Sequence, residues 1–377
     1  MITQHKLSGV LDYQGIKNLA LANEPTPFDV KIADLDISGE GDISLMGVPL
    51  QTEGDKVQRQ LLKMFGGLNK TFLKNYGKLT GKEFQEQLIK TIKLGLSTQK
   101  GAKVTIIGNP ETQKIFGIMP FGKQYVPNTF AIESFERVMN MPQNKDCKIQ
   151  NFEILGNGGV AITAVRPDAV TPNLHGGPKV GEEFNPGFGF NNNPITGLDA
   201  YHFVNRLTCT NGNYIIEKHG GFTMTQLTDG QVQKLFDAVQ HMSDNNFIPP
   251  SFETTLNRAL STPASLAEMM YARRMMKMHS SLESDENLAA FLPQFGRTVA
   301  KLAQKGFDYE KATDVQLKNC PVSGVTVWDI VNVMTDFGSH DYAYNASFAP
   351  IQFAAGKLFA KDHYDAENLL LANALMN

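Results

Sequence analysis

Cysteine is scarce in this chain: three in 377 residues, Cys147, Cys209 and Cys320, widely spaced and with no CxxC pair. An odd, dispersed set excludes a disulfide scaffold, so the thiols are expected to be reduced and the protein cytoplasmic. The histidines lack metal-ligand spacing, so no metal site is expected. The opening residues, MITQHKLSGVLDYQG, lack the apolar run of a secretory signal. No stretch reaches the ~18 consecutive apolar residues of a membrane-spanning helix, so no membrane partner is expected. Long blocks of one charge are also missing, and 42% of the residues are hydrophobic, which excludes disorder as the dominant state. The 33 Gly and 18 Pro follow no period, which excludes collagen-like and solenoid chains.

Catalytic signatures are absent as well. There is no G-x-x-x-x-G-K-[ST] loop, and the nearest approach, Gly77-Lys-Leu-Thr-Gly81-Lys82-Glu83, has the wrong spacing and ends in an acid that would repel phosphate. Gly156-Asn-Gly-Gly-Val-Ala161 superficially resembles a dinucleotide fingerprint, but a strand follows it, so no helix N-terminus is available to the phosphates. No HExxH, EF-hand loop or G-x-S-x-G elbow occurs. His175-Gly-Gly177 and His219-Gly-Gly221 repeat a motif that in some hydrolases supplies oxyanion-hole amides; without a nucleophile motif the glycines are read as turns. Cys209 near His202 and His219 is read as a buried strand cysteine. No catalytic residue and no cofactor are therefore assigned, and the sequence points away from an enzyme.

What the chain does have is uneven charge. The net charge is −3, yet Lys56 to Lys103 carries eleven basic residues against Glu83 and Glu86, a net of +9. Residues 1–150 sum to +4, 151–250 to −4 and 251–377 to −3. Such asymmetry steers a polyanion to one face. The same pattern also describes the solvated side of ordinary amphipathic helices, and only one of the eleven, Arg59, is arginine.

The expected class is α+β, with a central antiparallel β-meander, flanking helices and a mostly helical C-terminal lobe. Residues 28–48 suggest a short strand pair. Val57, Leu61, Met64 and Phe65 mark one face of a helix, and Thr80 with Glu83 forms a capping pattern for a second, carrying Phe84, Leu88 and Ile92. Together they make a basic helical hairpin over 56–103. Strands at 104–107 and 114–119 precede a helix near 131–139. Strands at 147–155 and 160–165 meet at Asn157-Gly158, a tight hairpin signal. A Gly/Pro/Asn-rich segment, 166–197, reads as a long loop. Strands near 201–209, 214–216 and 221–227 lead to a helix after Asp229. Punctuation at 241–251 separates a domain of residues 1–245 from a lobe of 251–377. In that lobe Thr262-Pro263 reads as a helix start, further helices are expected at 286–304, at 325–337 ending on Gly338, and at 366–376, and the Met269–Met278 cluster reads as core.

Aromatic residues gather in and after the long loop: Phe184, Phe188, Phe190, Tyr201 and Phe203. Aromatic faces stack on unpaired bases while neighbouring cations hold phosphate; the alternative is that these rings close the loop onto the sheet. The candidate nucleic-acid-binding set is Lys56, Arg59, Lys63, Lys70 and Lys74 for phosphate, Phe188, Phe190 and Tyr201 for bases, and Arg206 for either.

Around this loop Val180-Gly-Glu-Glu-Phe-Asn-Pro-Gly187, Asn192-Asn193-Pro194-Ile195-Thr196-Gly197 and Arg206-Leu-Thr-Cys209-Thr-Asn211-Gly212 resemble a phage- and plasmid-encoded family, domain-of-unknown-function family 932. Val57-Gln-Arg-Gln-Leu61 and Phe121-Gly-Lys-Gln-Tyr125 are similar to further landmarks, so the resemblance spans roughly residues 50–245. Asn193-Pro194 stands where the family has Asn-Ser, so any role of that hydroxyl is lost. The resemblance implies a phage or mobile-element origin and no established chemistry; its members often sit among genes that handle single-stranded DNA. By loose analogy, a strand meander backed by a helix is also the core of ring-forming single-strand annealing proteins. The leading expectation is a non-enzymatic DNA-binding protein, an oligomeric single-strand binding or annealing factor with single-stranded DNA and its own copies as partners. The alternatives are a virion structural or assembly protein, suggested by the acidic C-terminal lobe and its apolar end Leu369–Met376, and an inhibitor of a host defence system.

Overall fold

The computed structural model describes residues 6–8, 13–52, 56–61, 64, 81–109, 111–167, 184–206, 213–215, 221–244, 250–282, 292–340, 346 and 348–360. Among them the chain is α+β, built on an antiparallel meander with helices around it and a mostly helical C-terminal part.

The large sheet has seven strands: β1 (Lys6–Ser8), β9 (Lys148–Ile154), β10 (Val160–Val165), β11 (Phe184–Asn193), β12 (Gly197–Arg206) and β13 (Asn213–Ile215) in that spatial order, with β14 (Phe222–Met224) also on β12. Every pairing in it is antiparallel. The β9–β10 turn follows from its sequence: Gly158 takes φ +76° and Asn157 Oδ1 accepts from the Gly159 amide at 3.0 Å. At the β11–β12 turn Asn193 Oδ1 accepts from the amides of Ile195 and Thr196 at 2.9 and 3.2 Å, an Asx turn that accommodates Pro194.

The later part of the expected 166–197 loop is thus strand β11, while residues 168–183 lie outside the described residues. The reason is a period of two. Phe184, Phe188 and Phe190 lie on one face, and Gly187 and Gly189 on the other. The glycines leave a bare strip across which β12 lays its own rings. A Cβ on Gly189 would sit 2.6 Å from the Tyr201 ring, and one on Gly187 would sit 2.4 Å from the Phe203 ring.

Both faces of this sheet are covered. On the first, Phe188 and Phe190 meet Phe135 of α4 (Asn128–Met139) at centroid distances of 5.3 and 5.5 Å. Ile16 and Ala20 of α1 (Tyr13–Ala22) and Leu235 and Val239 of α5 (Asp229–Asp244) complete that core. On the second, Tyr201 and Phe203 pack with Leu155, Ala161, Ala349 and Phe353.

A smaller sheet runs β2 (Thr26–Lys31), β7 (Lys103–Asn109), β8 (Lys114–Pro120), β6 (Gln51–Thr52), with β6 and β8 parallel. The strand pair expected within 28–48 divides between two sheets: β2 joins β7, and β4 (Ile43–Leu45) sits between β3 (Leu35–Ile37) and β5 (Val48–Pro49). Helix α2 (Lys56–Leu61) buries Val57 and Leu61; α3 (Gly81–Thr98) buries Leu88, Ile89, Ile92 and Leu96, one stripe at helical spacing, against Val104, Ile106, Ile115 and Ile118. The link of the expected hairpin, and Thr80 as its cap, lie outside the described residues.

In the C-terminal part, α6 (Pro250–Ser261), α7 (Leu266–Met278), α8 (Pro293–Ala303), α9 (Asp314–Lys318), α10 (Val327–His340) and α11 (Phe348–Ala360) surround a two-stranded sheet, β15 (Pro263–Ser265) with β16 (Pro321–Thr326). Pro263 begins a strand rather than a helix. Ser265 is the cap instead: its Oγ accepts from Ala267 N, and Glu268 Oε2 accepts from Ser265 N at 2.8 Å, a capping box three residues further on. Gly338 lies inside α10 rather than ending it, because Ile351 and Gln352 of α11 cross it so closely that a Cβ would meet Ile351 at 3.1 Å. Met269, Met270 and Met276 are core, as expected. The boundary expected near 241–251 falls between α5 and α6, yet Phe184 and Val204 of the large sheet belong to the core of the helical part, with Phe184 5.2 Å from Phe252. The helix expected at 366–376 lies outside the described residues.

Candidate functional site

The base-stacking set does not form a site. Phe190 is 1% exposed, Tyr201 0% and Phe188 5%, each enclosed by the side chains named above. A ring so enclosed has no face to offer a base, so the expectation of stacking by Phe188, Phe190 and Tyr201 is corrected: β11 and β12 lie between two layers and use their aromatics as core. Burial also holds the Tyr201 hydroxyl far above the ordinary tyrosine range, with the nearby Asp199 and Glu153 carboxylates acting in the same direction.

Of the expected phosphate contacts, Lys56 and Arg59 lie on α2, but their side chains fall outside the described residues; Lys63, Lys70 and Lys74 fall outside them entirely. Arg206 ends β12, and its side chain is likewise not described. Cys209, His175 and His219 are outside the described residues too.

The described lysines of the same window do share a setting. The α3 stripe that faces the sheet is apolar, which leaves Lys82, Lys90 and Lys93 exposed on the rest of the helix. Lys100, in the turn after α3, and Lys103, at the start of β7, are exposed as well. Among the described residues none of these five has an ion-pair partner. Elsewhere Lys17 pairs with Glu133 at 2.9 Å, Arg273 with Glu310 at 3.0 Å and Lys311 with Asp308 at 3.1 Å. The only acids of the window, Glu83 and Glu86, are both in the first turn and a half of α3, where they favour the positive end of its dipole.

One residue escaped the sequence reading as a functional candidate. Phe121, just past the end of β8, is 53% exposed, and Lys103 Nζ stands 5.3 Å from its ring centroid. Phe116, on the same strand, also has a lysine nearby (Lys114 Nζ at 5.6 Å) but is buried, with Gly158 of the large sheet against its ring. The available signal was Pro120-Phe121-Gly122, a bulky ring placed at a strand-ending turn.

A buried polar lattice joins the two sheets beside this surface. Asn192 Nδ2 donates to Asn128 Oδ1 at 2.9 Å and to the Val126 carbonyl at 3.0 Å, and Asn128 Nδ2 donates to the Gly158 carbonyl at 2.8 Å. The Glu24 carboxylate caps α4 by accepting from the Asn128 and Thr129 amides, both at 2.9 Å, and also accepts from the Tyr125 hydroxyl. Lys123 donates to the Ile195 carbonyl at 3.0 Å, and its partial burial lowers its pKa. Segments 121–125 and 192–197 therefore meet here, and the side chains described in them carry the joint. Among the described residues no cluster of His, Cys, Asp and Glu is arranged to hold a metal, and no helix is long and apolar enough to cross a membrane. Compared with protein-family models, with curated proteins and with solved structures, the chain matches none of them.

Proposed function

We propose that the protein is a non-enzymatic DNA-binding protein of phage or mobile-element origin, acting in the cytoplasm as an oligomeric single-strand binding or annealing factor. The phosphate backbone is held by the exposed lysines of α3 and by the residues leading into β7. The observation that carries this reading is the row of exposed lysines without ion-pair partners among the described residues: Lys82, Lys90, Lys93 and Lys100. Lysines outnumber the two acids, Glu83 and Glu86, on this stretch, and a polyanion bound to it is attracted by the excess positive charge while releasing its own condensed counterions. Lysine is a point charge on a flexible stem, suited to phosphates of varying position and indifferent to sequence.

Fluorescence anisotropy with a labelled single-stranded oligonucleotide over a salt series tests this. Binding at low salt is expected, with log K falling linearly in log salt by about 0.7 for each phosphate neutralised. No binding at the lowest salt overturns the reading. Light scattering of the same complex tests the oligomer, which is expected to be larger than one chain per oligonucleotide.

A further inference from the structure

We infer that Phe121, beside the facing lysines Lys31 and Lys103 at one end of the four-stranded sheet, is a stacking platform for an unpaired base. The inference rests on the DNA-binding reading and adds to it the residue that distinguishes single strands from duplex. Lys31 and Lys103 are direct cross-strand partners in the β2–β7 register. Both are exposed, and neither has an ion-pair partner among the described residues. Like charges placed directly opposite each other destabilise a sheet, so this pair is a local cost that a bound anion removes. The nearest acid in the register, Asp29, lies two residues back on β2, and its Oδ1 already accepts from Thr105 Oγ1 at 2.7 Å.

The register then brings an aromatic ring to these charges. Val104 pairs with Pro120, so Phe121 follows β8 out of the sheet alongside Lys103. A phenylalanine that served the core would be covered, as Phe116 is; Phe121 keeps half its surface in solvent, with an ammonium 5.3 Å from its centre. A half-exposed ring with the Lys103 ammonium over it, and Lys31 the cross-strand partner of Lys103, matches what a nucleotide of a single strand offers: a base to stack against the ring and a phosphate for the cations. Duplex DNA keeps its bases stacked internally and has only the phosphate to give.

The test compares the parent with Phe121→Ala and Phe121→Tyr, each shown by circular dichroism and thermal melting to be folded. The probes are an oligo-dT and an abasic strand of the same length. The parent is expected to prefer oligo-dT. Phe121→Ala is expected to lose about 5- to 150-fold in affinity for oligo-dT, to bind the abasic strand as the parent does, and to keep the parent's salt slope. Phe121→Tyr retains the ring and is expected to retain the preference; should the alanine variant fold poorly, Phe121→Leu, apolar but without a ring, is expected to lose it, and a folded leucine variant that keeps the parent's preference overturns the platform. A folded Phe121→Ala protein that binds oligo-dT like the parent removes the platform and leaves the lysine face standing. A parent that binds neither strand removes both.

Discussion

In the large sheet, β11 and β12 lie under side chains on both faces, α1, α4 and α5 on one and α11 on the other, so their rings are structural. In the small sheet, α2 and α3 cover the middle of β7 and β8 with aliphatic residues, and what reaches solvent includes Lys82, Lys90 and Lys93 on α3, beside Glu83, Glu86 and Leu94, and Phe121 with Lys31 and Lys103 at the sheet's end. Aromatic density therefore marks core in this chain. Five rings within residues 184–203 fill two layers, whereas Phe121 stands half-exposed beside Lys103, which has no ion-pair partner among the described residues.

Removing a ring from each sheet breaks the comparison open most strongly. Phe190→Ala is expected to cost about 3–5 kcal/mol of stability, read by urea or thermal unfolding, because Phe135 and its neighbours lose a fully buried partner; Phe121→Ala is expected to cost well under that. Equal losses would erase the distinction between the two rings. Next in size is Gly189→Ala, whose Cβ would intrude on the Tyr201 ring; overpacking of this kind costs about 1–3 kcal/mol.

The Phe–Gly alternation behind these two predictions was legible as letters but not as a strand. Gly, Pro and Asn from 166 to 197 carried the weight of a loop signal, and the period of two emerges only when the glycines are seen as room for Tyr201 and Phe203. The Asn157-Gly158 hairpin, the apolar stripe of α3 and the stripe of α10 were readable because each is fixed by neighbours within a few residues. Thr262-Pro263 mimicked a helix start three residues before the real cap at Ser265, since the pairing of β15 with β16 lies some sixty residues downstream. Phe121 could not be singled out for the same reason: its exposure depends on β7, and its charge setting on β2. The lysine window was visible in the sequence, but the pairing state of its members was not.

Smaller effects sharpen the contrast. Glu24→Gln removes a charge from two helix amides at the joint between the sheets and is expected to cost about 1–2 kcal/mol. Tyr201 gives the large sheet a pH dependence. Its folded pKa lies above the unfolded value of about 10, so the unfolded chain releases that proton first. Stability is then intact below about pH 10 and falls above it, by at most about 1.4 kcal/mol per pH unit from this residue. Urea unfolding between pH 9 and 11 reads the fall, and Tyr201→Phe, which has no proton to lose, is expected to lessen its slope by that share while the likewise raised Tyr13, Tyr125 and Tyr271 keep theirs. Smallest of all, Lys90→Gln with Lys93→Gln is expected to change stability by less than about 0.5 kcal/mol, because both side chains stand in solvent.

That same lysine pair supplies the most direct test of the central claim, that nucleic acid meets the small sheet's lysine face and not the large sheet's aromatics. Affinity for a labelled single strand is measured across a salt series for the parent, for the double lysine variant and for Phe188→Leu, a core change that keeps an apolar side chain. The account predicts weaker binding and a salt slope shallower by about 1.4 for the lysine variant, at about 0.7 per lost phosphate contact, with Phe188→Leu binding as the parent does. A folded Phe188→Leu protein that loses binding, while the lysine variant keeps it with an unchanged slope, would contradict the account.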